Sequence, residues 1–273
     1  MPNPTRTVVL IHGYLPVNLL GLGVSLFGQT AFAYFKGVAQ HIEQLGVRVQ
    51  EPTLPNNSRV EQRGAELARV LGSIAPPPEG GRDLILIAHS MGGLDARWVL
   101  HHHPALAVRT HSLVTLGTPF RGSPLADLVG STSHKVPDAV AAPILSTLGE
   151  GVKDLTRAQA TSLSNACIDP PGIHRFCIVG NPDPTAHSHL FGVALRAIDL
   201  WEGKPSDGVV QHYSATWPGF VQLPDWPVDH AGLIGWGIQL PLLSVPGLYD
   251  SQAHLQRYTE LVQHLLALAD IQP

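Results

Sequence analysis

The chain has 273 residues, with 17 Lys and Arg against 21 Asp and Glu and a formal net charge of −4 at neutral pH. That length suits one large α/β domain or two small ones, and the mildly acidic balance excludes the clustered cations with which a nucleic-acid binder neutralises phosphates. Charged residues make up only 14% against 44% hydrophobic, which points either to a surface more apolar than usual or to a large core under polar, uncharged loops.

Thr7-Val-Val-Leu-Ile11 is a short β-branched run ended by His12-Gly13, the pattern of a buried strand. No charged side chain occurs between Arg6 and Lys36. His12, Pro16, Asn18, Gln29 and four glycines break that stretch, so it holds no run of about 18 apolar residues and no integral membrane segment. Ala31-Phe-Ala33 has the small residues of a signal cleavage site, but cleavage there would remove the His12-Gly13 turn. The expectation is a chain without signal peptide, either cytoplasmic or the mature form of a secreted protein.

Helical spacing follows from about Ala31 to Leu45, then a strand at Val47-Arg-Val49. Arg59 to Ile74 places Val60, Leu67, Val70, Leu71 and Ile74 at helical intervals, and Pro76-Pro-Pro-Glu-Gly-Gly81 ends that helix. Asp83-Leu-Ile-Leu-Ile-Ala88 is the strongest strand in the chain; a helix from Gly92 to about His102 and a strand at Leu113–Leu116 follow. Continuous apolar strands alternating with amphipathic helices predict a mainly parallel sheet covered on both faces. Residues 120–170 break the rhythm with short helix-like pieces and no clear strand, which reads as a helical cap or lid inserted into a single domain spanning 1–273. The alternation resumes at Arg175–Val179 and closes with an amphipathic helix over Ser251–Ala269. Two cysteines, Cys167 and Cys177, are too few for a disulfide scaffold or a multi-cysteine metal module. Two inert thiols are favoured over a disulfide between them.

Leu84-Ile-Leu-Ile-Ala-His-Ser-Met-Gly-Gly93 joins the best strand directly to a helix. A serine in so tight a turn is forced into strained backbone angles that lift its Oγ clear of the sheet edge, and Ala88 and Gly92 are the small neighbours the turn demands. The same turn sets the Met91 N–H and a helix N-terminus beside a developing oxyanion. Ser90 is therefore read as an acyl-transfer nucleophile, against the plainer reading of a serine helix cap.

These residues resemble the bacterial true lipases and esterases of the α/β-hydrolase fold. The likeness rests on Val8-Val-Leu-Ile-His-Gly13, Ala88-His-Ser-Met-Gly-Gly93, Leu116-Gly-Thr-Pro-Phe-Arg-Gly-Ser123, Ser206-Asp-Gly-Val-Val210 and Asp229-His230, in that order. Ala88 stands where such proteins more often carry Gly. The resemblance implies an oxyanion hole made of the Tyr14 and Met91 backbone N–H groups, with His12 bracing the turn. It also implies a triad in the chain order Ser, acid, His. Asp207 is the favoured acid, in a Ser-Asp-Gly turn before a strand expected from Val209; Asp183, Asp225 and Asp229 are its rivals, and an Asx-turn residue is the plain alternative. Among fifteen histidines, His230 is the favoured base because its loop lets it reach Ser90. His212 falls in an expected strand, His254 on the last helix, His101–His103 at a helix end, and His89 reads as a packing residue. His187 and His189 lack supporting ligands for a metal.

Lipases of this kind often hold a structural Ca²⁺ with an aspartate two residues after the base. That position is Gly232 here, so calcium is not favoured, and neither cofactor nor metal is expected. The expected partner is a small-molecule acyl ester or lipid, with room for transient contact with a lipid interface; the apolar loop 15–29 and the cap are candidate walls for an acyl chain. The reading is a serine carboxylic-ester hydrolase. Rivals are an acyltransferase or thioesterase with the same triad and, more distantly, a hydrolase-fold binding protein without catalysis. No strand is followed by a Gly-rich nucleotide-binding fingerprint.

Overall fold

The computed structural model describes residues 6–14, 34–78, 80–130, 149–182, 203–236 and 251–271, apart from the side chains of 128–130 and 251. Six parallel strands form one sheet in the order β2-β1-β3-β4-β5-β6. They are β1 (Thr7–Ile11), β2 (Arg48–Gln50), β3 (Leu84–His89), β4 (Thr110–Leu116), β5 (His174–Ile178) and β6 (Val221–Gln222). The strand alternation sorts the core in two. Val8, Leu10, Ile85, Ile87, Val114 and Leu116 face one cluster, whereas Val9, Ile11, Leu84, Leu86 and Leu113 face the other. Because side chains alternate across a strand, an all-apolar run is stable only where both faces are covered.

Helices supply both covers. On the first face lie α1 (Val38–Gln44) and the C-terminal α8 (Ser251–Ala267), through Ile42, Tyr258, Val262 and Leu265. On the second lie α2 (Val60–Ser73), α3 (Met91–His102) and α4 (Pro104–Arg109), through Leu67, Leu71, Val99, Leu100 and Leu106. Between β4 and β5 the described residues are helical throughout their regular parts: α5 (Pro124–Gly130), a 3₁₀ turn over Glu150–Leu155 and α6 (Arg157–Ala166). This segment is tied to the start of α2. The buried Asp154 carboxylate accepts the Val60 N–H at 2.7 Å and pairs with Arg59, while Gly151 N–H donates to Asn57 O at 3.0 Å. The expected cap helix around Val136–Leu148 and the apolar loop 15–29 lie outside the described residues.

Two local expectations fail. Val209 does not open a strand: the N–H groups of Val209 and Val210 are taken by the Asp207 side chain, so the backbone turns and continues into the short helix α7 (His212–Ala215). His212 therefore sits on a helix, not in a strand. The first helix is also shorter than its apolar spacing suggests, because the described turn at 34–37 ends on Gly37 at φ 71° before α1 begins. Cys167 and Cys177 are both buried free thiols.

Candidate active site

Ser90 links β3 to α3 at φ 54° and ψ −129°, and it is the one non-glycine residue with positive φ among those described. Such a conformation costs about 1–3 kcal/mol and persists only where its surroundings fix it. Here the Ser90 N–H donates to Leu116 O at 2.9 Å, and the Ser90 carbonyl accepts from the Thr118 hydroxyl at 2.9 Å and from the Gly93 N–H at 3.1 Å. The last residue of β4 and Thr118 just beyond it thus clamp the turn on both sides.

The His12-Gly13 turn at the end of β1 closes on it. A Cβ at position 13 would lie 2.6 Å from Ser90 Cβ and 2.9 Å from His89 O, so only glycine permits the approach. Neither the Tyr14 N–H nor the Met91 N–H is donated to another described backbone group. His12 braces the turn from within: its Nε2 accepts the Leu54 N–H at 2.9 Å, which leaves Nδ1–H to donate to Gly13 O at 2.8 Å. Burial, helped by the Arg63 charge, lowers the His12 pKa to about 4 and keeps the ring neutral.

Arg63 is a further brace, which the sequence reading missed. Its fully buried guanidinium donates to His12 O at 2.7 Å and Gly13 O at 3.3 Å, while Nε donates to Asp95 of α3 at 2.8 Å. Its signal was present: position 63 falls on the stripe of Val60, Leu67 and Leu71, where a charged residue needs a buried partner.

Asp207 and His230 meet at the opposite side of the site. Asp207 Oδ1 accepts the N–H groups of Val209 and Val210 at 3.0 and 2.7 Å, and Oδ2 accepts from His230 Nδ1 at 2.7 Å. The Asx turn and the carboxylate–imidazole pair are therefore one arrangement, not rival readings. The backbones are joined too, His230 N–H to Asp207 O at 2.9 Å. The pair lies against the end of β4: a Cβ at Gly117, which adopts φ 58°, would sit 2.9 Å from Asp207 Oδ2 and 3.1 Å from His230 Nδ1. The His230 ring also packs against that of His89, tilted by 46° with centroids 4.5 Å apart, which brings it beside the residue preceding Ser90. With Nδ1 committed to Asp207, the His230 Nε2 remains for a proton transfer.

The other candidates are placed elsewhere. Asp225 bonds Asn181 and Gln222, and Asp229 accepts the Gly232 N–H. His212 bonds Gly180 O, His102 stacks on Trp98, and His254 is buried in α8. Asp183, His187 and His189 lie outside the described residues. No group of three or more potential metal ligands occurs among the described residues. The position where the resemblance puts a calcium-ligating aspartate is a glycine that supplies no carboxylate and has no space for a side chain. Gly232 starts a 3₁₀ turn, and a Cβ there would come 2.7 Å from Val228 Cβ and 3.1 Å from Asp229 Oδ1.

A serine held at a strained strand-to-helix turn of a parallel sheet, with an aspartate–histidine pair on later loops, is the arrangement of the α/β-hydrolase fold. A family model for a PGAP1-like alpha/beta domain matches residues 68–140. A triacylglycerol lipase of Pseudarthrobacter phenanthrenivorans is 30% identical over 149 residues, covering 50% of this chain and 40% of that protein. One of Burkholderia plantarii is 30% identical over 149 residues, covering 50% of this chain and 36% of that protein. The chain thus spans well under half the length of these curated relatives. Among solved structures, a Bacillus licheniformis lipase in mature form superposes with a TM-score of 0.70 at 22% identity, over 98% of this chain and 94% of that one. A metagenomic carboxyl esterase gives 0.71 at 19% identity, over 97% and 76%. The chain has the α/β-hydrolase fold in the form these lipases and esterases share. No helix among the described residues is long and apolar enough to cross a membrane.

Proposed function

We propose that the protein is a serine carboxylic-ester hydrolase that cleaves acyl esters, lipid or triglyceride esters among them, through an acyl-enzyme on Ser90. The observation that carries this reading is the Asp207–His230 hydrogen bond at 2.7 Å beside a serine held at φ 54°. In the proposed cycle His230 Nε2 takes the Ser90 proton as Oγ attacks the ester carbonyl, then gives it to the leaving alcohol. Asp207 holds the tautomer that leaves Nε2 free and stabilises the imidazolium. The Tyr14 and Met91 N–H groups receive the oxyanion; in comparable sites one such donor is worth about 10²–10³ in rate. Water, activated by the same histidine, then releases the acid.

The sequence likeness to triacylglycerol lipases favours hydrolysis over transfer to another acceptor. The test compares an emulsified long-chain triglyceride with a soluble butyrate ester, using Ser90→Ala as the blank. Ser90-dependent turnover of the triglyceride is the result for a lipase that works at a lipid interface, and turnover of the butyrate alone defines a short-chain esterase. Absence of Ser90-dependent hydrolysis on both overturns the proposal.

A further inference from the structure

His89 reads in sequence as packing, yet it lies at the centre of a buried polar chain that the proposed cycle does not use. The Gly13 N–H donates to Tyr34 Oη at 3.0 Å, Tyr34 Oη lies 2.7 Å from His89 Nδ1, and His89 Nε2 lies 3.0 Å from the His230 carbonyl oxygen. Donor and acceptor roles are fixed by the ends. A carbonyl only accepts, so His89 carries its proton on Nε2, and its bare Nδ1 must accept from the Tyr34 hydroxyl. The direction is therefore Gly13 N–H to Tyr34 O–H to His89 to His230 C=O. All of these groups are buried.

We propose that His89 and Tyr34 are positioning residues that join the two halves of the site, the oxyanion turn at Gly13-Tyr14 and the base loop at His230, through one hydrogen-bonded chain. This rests on the hydrolase reading above and goes beyond it: it names what sets the spacing between the oxyanion donors and the base. Tyr34 holds the backbone next to the Tyr14 N–H, while His89 holds the backbone of His230 and packs its ring 4.5 Å from the His230 ring. Burial and the neighbouring His230 push the His89 pKa well below the usual imidazole range. His89 thus stays uncharged beside a histidine that must become an imidazolium in the transition state.

The role separates from mere packing because the bonds have different substitutes. The Gln side-chain amide reaches the place of imidazole Nε2, and that of Asn reaches only the place of Nδ1. His89→Gln retains a donor for the His230 carbonyl, whereas His89→Asn retains only the acceptor for Tyr34. Tyr34→Phe removes a single oxygen atom and cuts the chain at its centre. The experiment measures kcat and KM on a soluble butyrate ester, with melting temperature as the control for folding. Tyr34→Phe and His89→Asn are expected to lower kcat about 10- to 100-fold, the scale of a small misplacement at reacting groups, with KM within about twofold. His89→Gln is expected to lie between wild type and His89→Asn in kcat, because it keeps the bond to the His230 carbonyl but leaves Tyr34 without its acceptor. Wild-type kcat in both Tyr34→Phe and His89→Asn, or a loss carried by KM, overturns the positioning role. If His89→Asn fails to fold, Tyr34→Phe and His89→Gln decide by the same comparison. A wild-type protein without Ser90-dependent turnover defeats the underlying hydrolase reading instead, so the two failures are distinct.

Discussion

Arg63 and Asp95 pair at 2.8 Å with no side-chain surface exposed on either partner, and the same guanidinium holds the carbonyls of His12 and Gly13. The pair joins α2 to α3, the helix that follows Ser90, and fastens both to the loop after β1. Burial raises the Asp95 pKa to about 6 against the opposing pull of Arg63. Breaking a buried pair by removing one member leaves the other charge uncompensated, which costs about 3–5 kcal/mol. Arg63→Met should therefore lose stability on that scale in denaturant unfolding. Arg63→Met with Asp95→Leu should recover much of the stability but not the ester turnover, since the turn still lacks its tether. Full activity in the double variant would show that the turn holds itself.

The backbone at Ser90 gives a second outcome. Ser90→Ala and Ser90→Gly should both fold and lose hydrolysis and fluorophosphonate labelling. Glycine carries no Cβ penalty at φ 54°, so Ser90→Gly should be the more stable of the two by about 1 kcal/mol. Equal unfolding midpoints would mean that the turn is not strained in solution.

For the acid, Asp207→Asn should keep the turn, because an amide oxygen still accepts the Val209 and Val210 N–H groups. The amide nitrogen facing His230 Nδ1 selects the wrong tautomer, for which a loss of up to about 10⁴ in kcat is the expected scale. His230→Ala should lose more. An unaffected Asp207→Asn enzyme would move the acid elsewhere.

Acid sensitivity follows from histidines buried in neutral form. Burial, the main cause in each case, lowers His12, His111 and His254 to about 4, and pushes His89 well below the usual imidazole range. Between about pH 6.5 and 4 the unfolded chain binds protons at these sites that the native chain does not, so stability falls as pH falls. Burial raises Asp95 to about 6 and Glu51 to about 7, which opposes the trend but involves fewer groups. Melting temperature should drop from pH 7 to pH 5, and His111→Gln, remote from Ser90, should flatten the drop. A flat profile in the parent protein would contradict the buried neutral state.

Metal removal is the last check. EDTA should leave the melting temperature unchanged, because Gly232 carries no carboxylate at the position where the resemblance puts a calcium ligand. A drop would point to ligands outside the described residues.

The sequence by itself determined the sheet and the strained serine turn. Apolar strands at Thr7–Ile11 and Leu84–His89 and the abrupt Ala88-His-Ser-Met-Gly92 turn are local signals, since each follows from period and steric demand over a few residues. Only the tertiary structure decided which acid meets which histidine, because the Asp207–His230 bond spans two loops whose proximity is set by the ends of β4 and β5. It also decided that Val209 turns where a strand was expected, as a side-chain acceptor outcompeted a sheet partner. The roles of Tyr34 and His89 were illegible for the same reason, and Arg63 showed only as a charge on an apolar stripe, without its partners. Hydrogen bonds between residues far apart in the chain leave no period in sequence, and a buried polar side chain is explained only by the partner that folding brings to it.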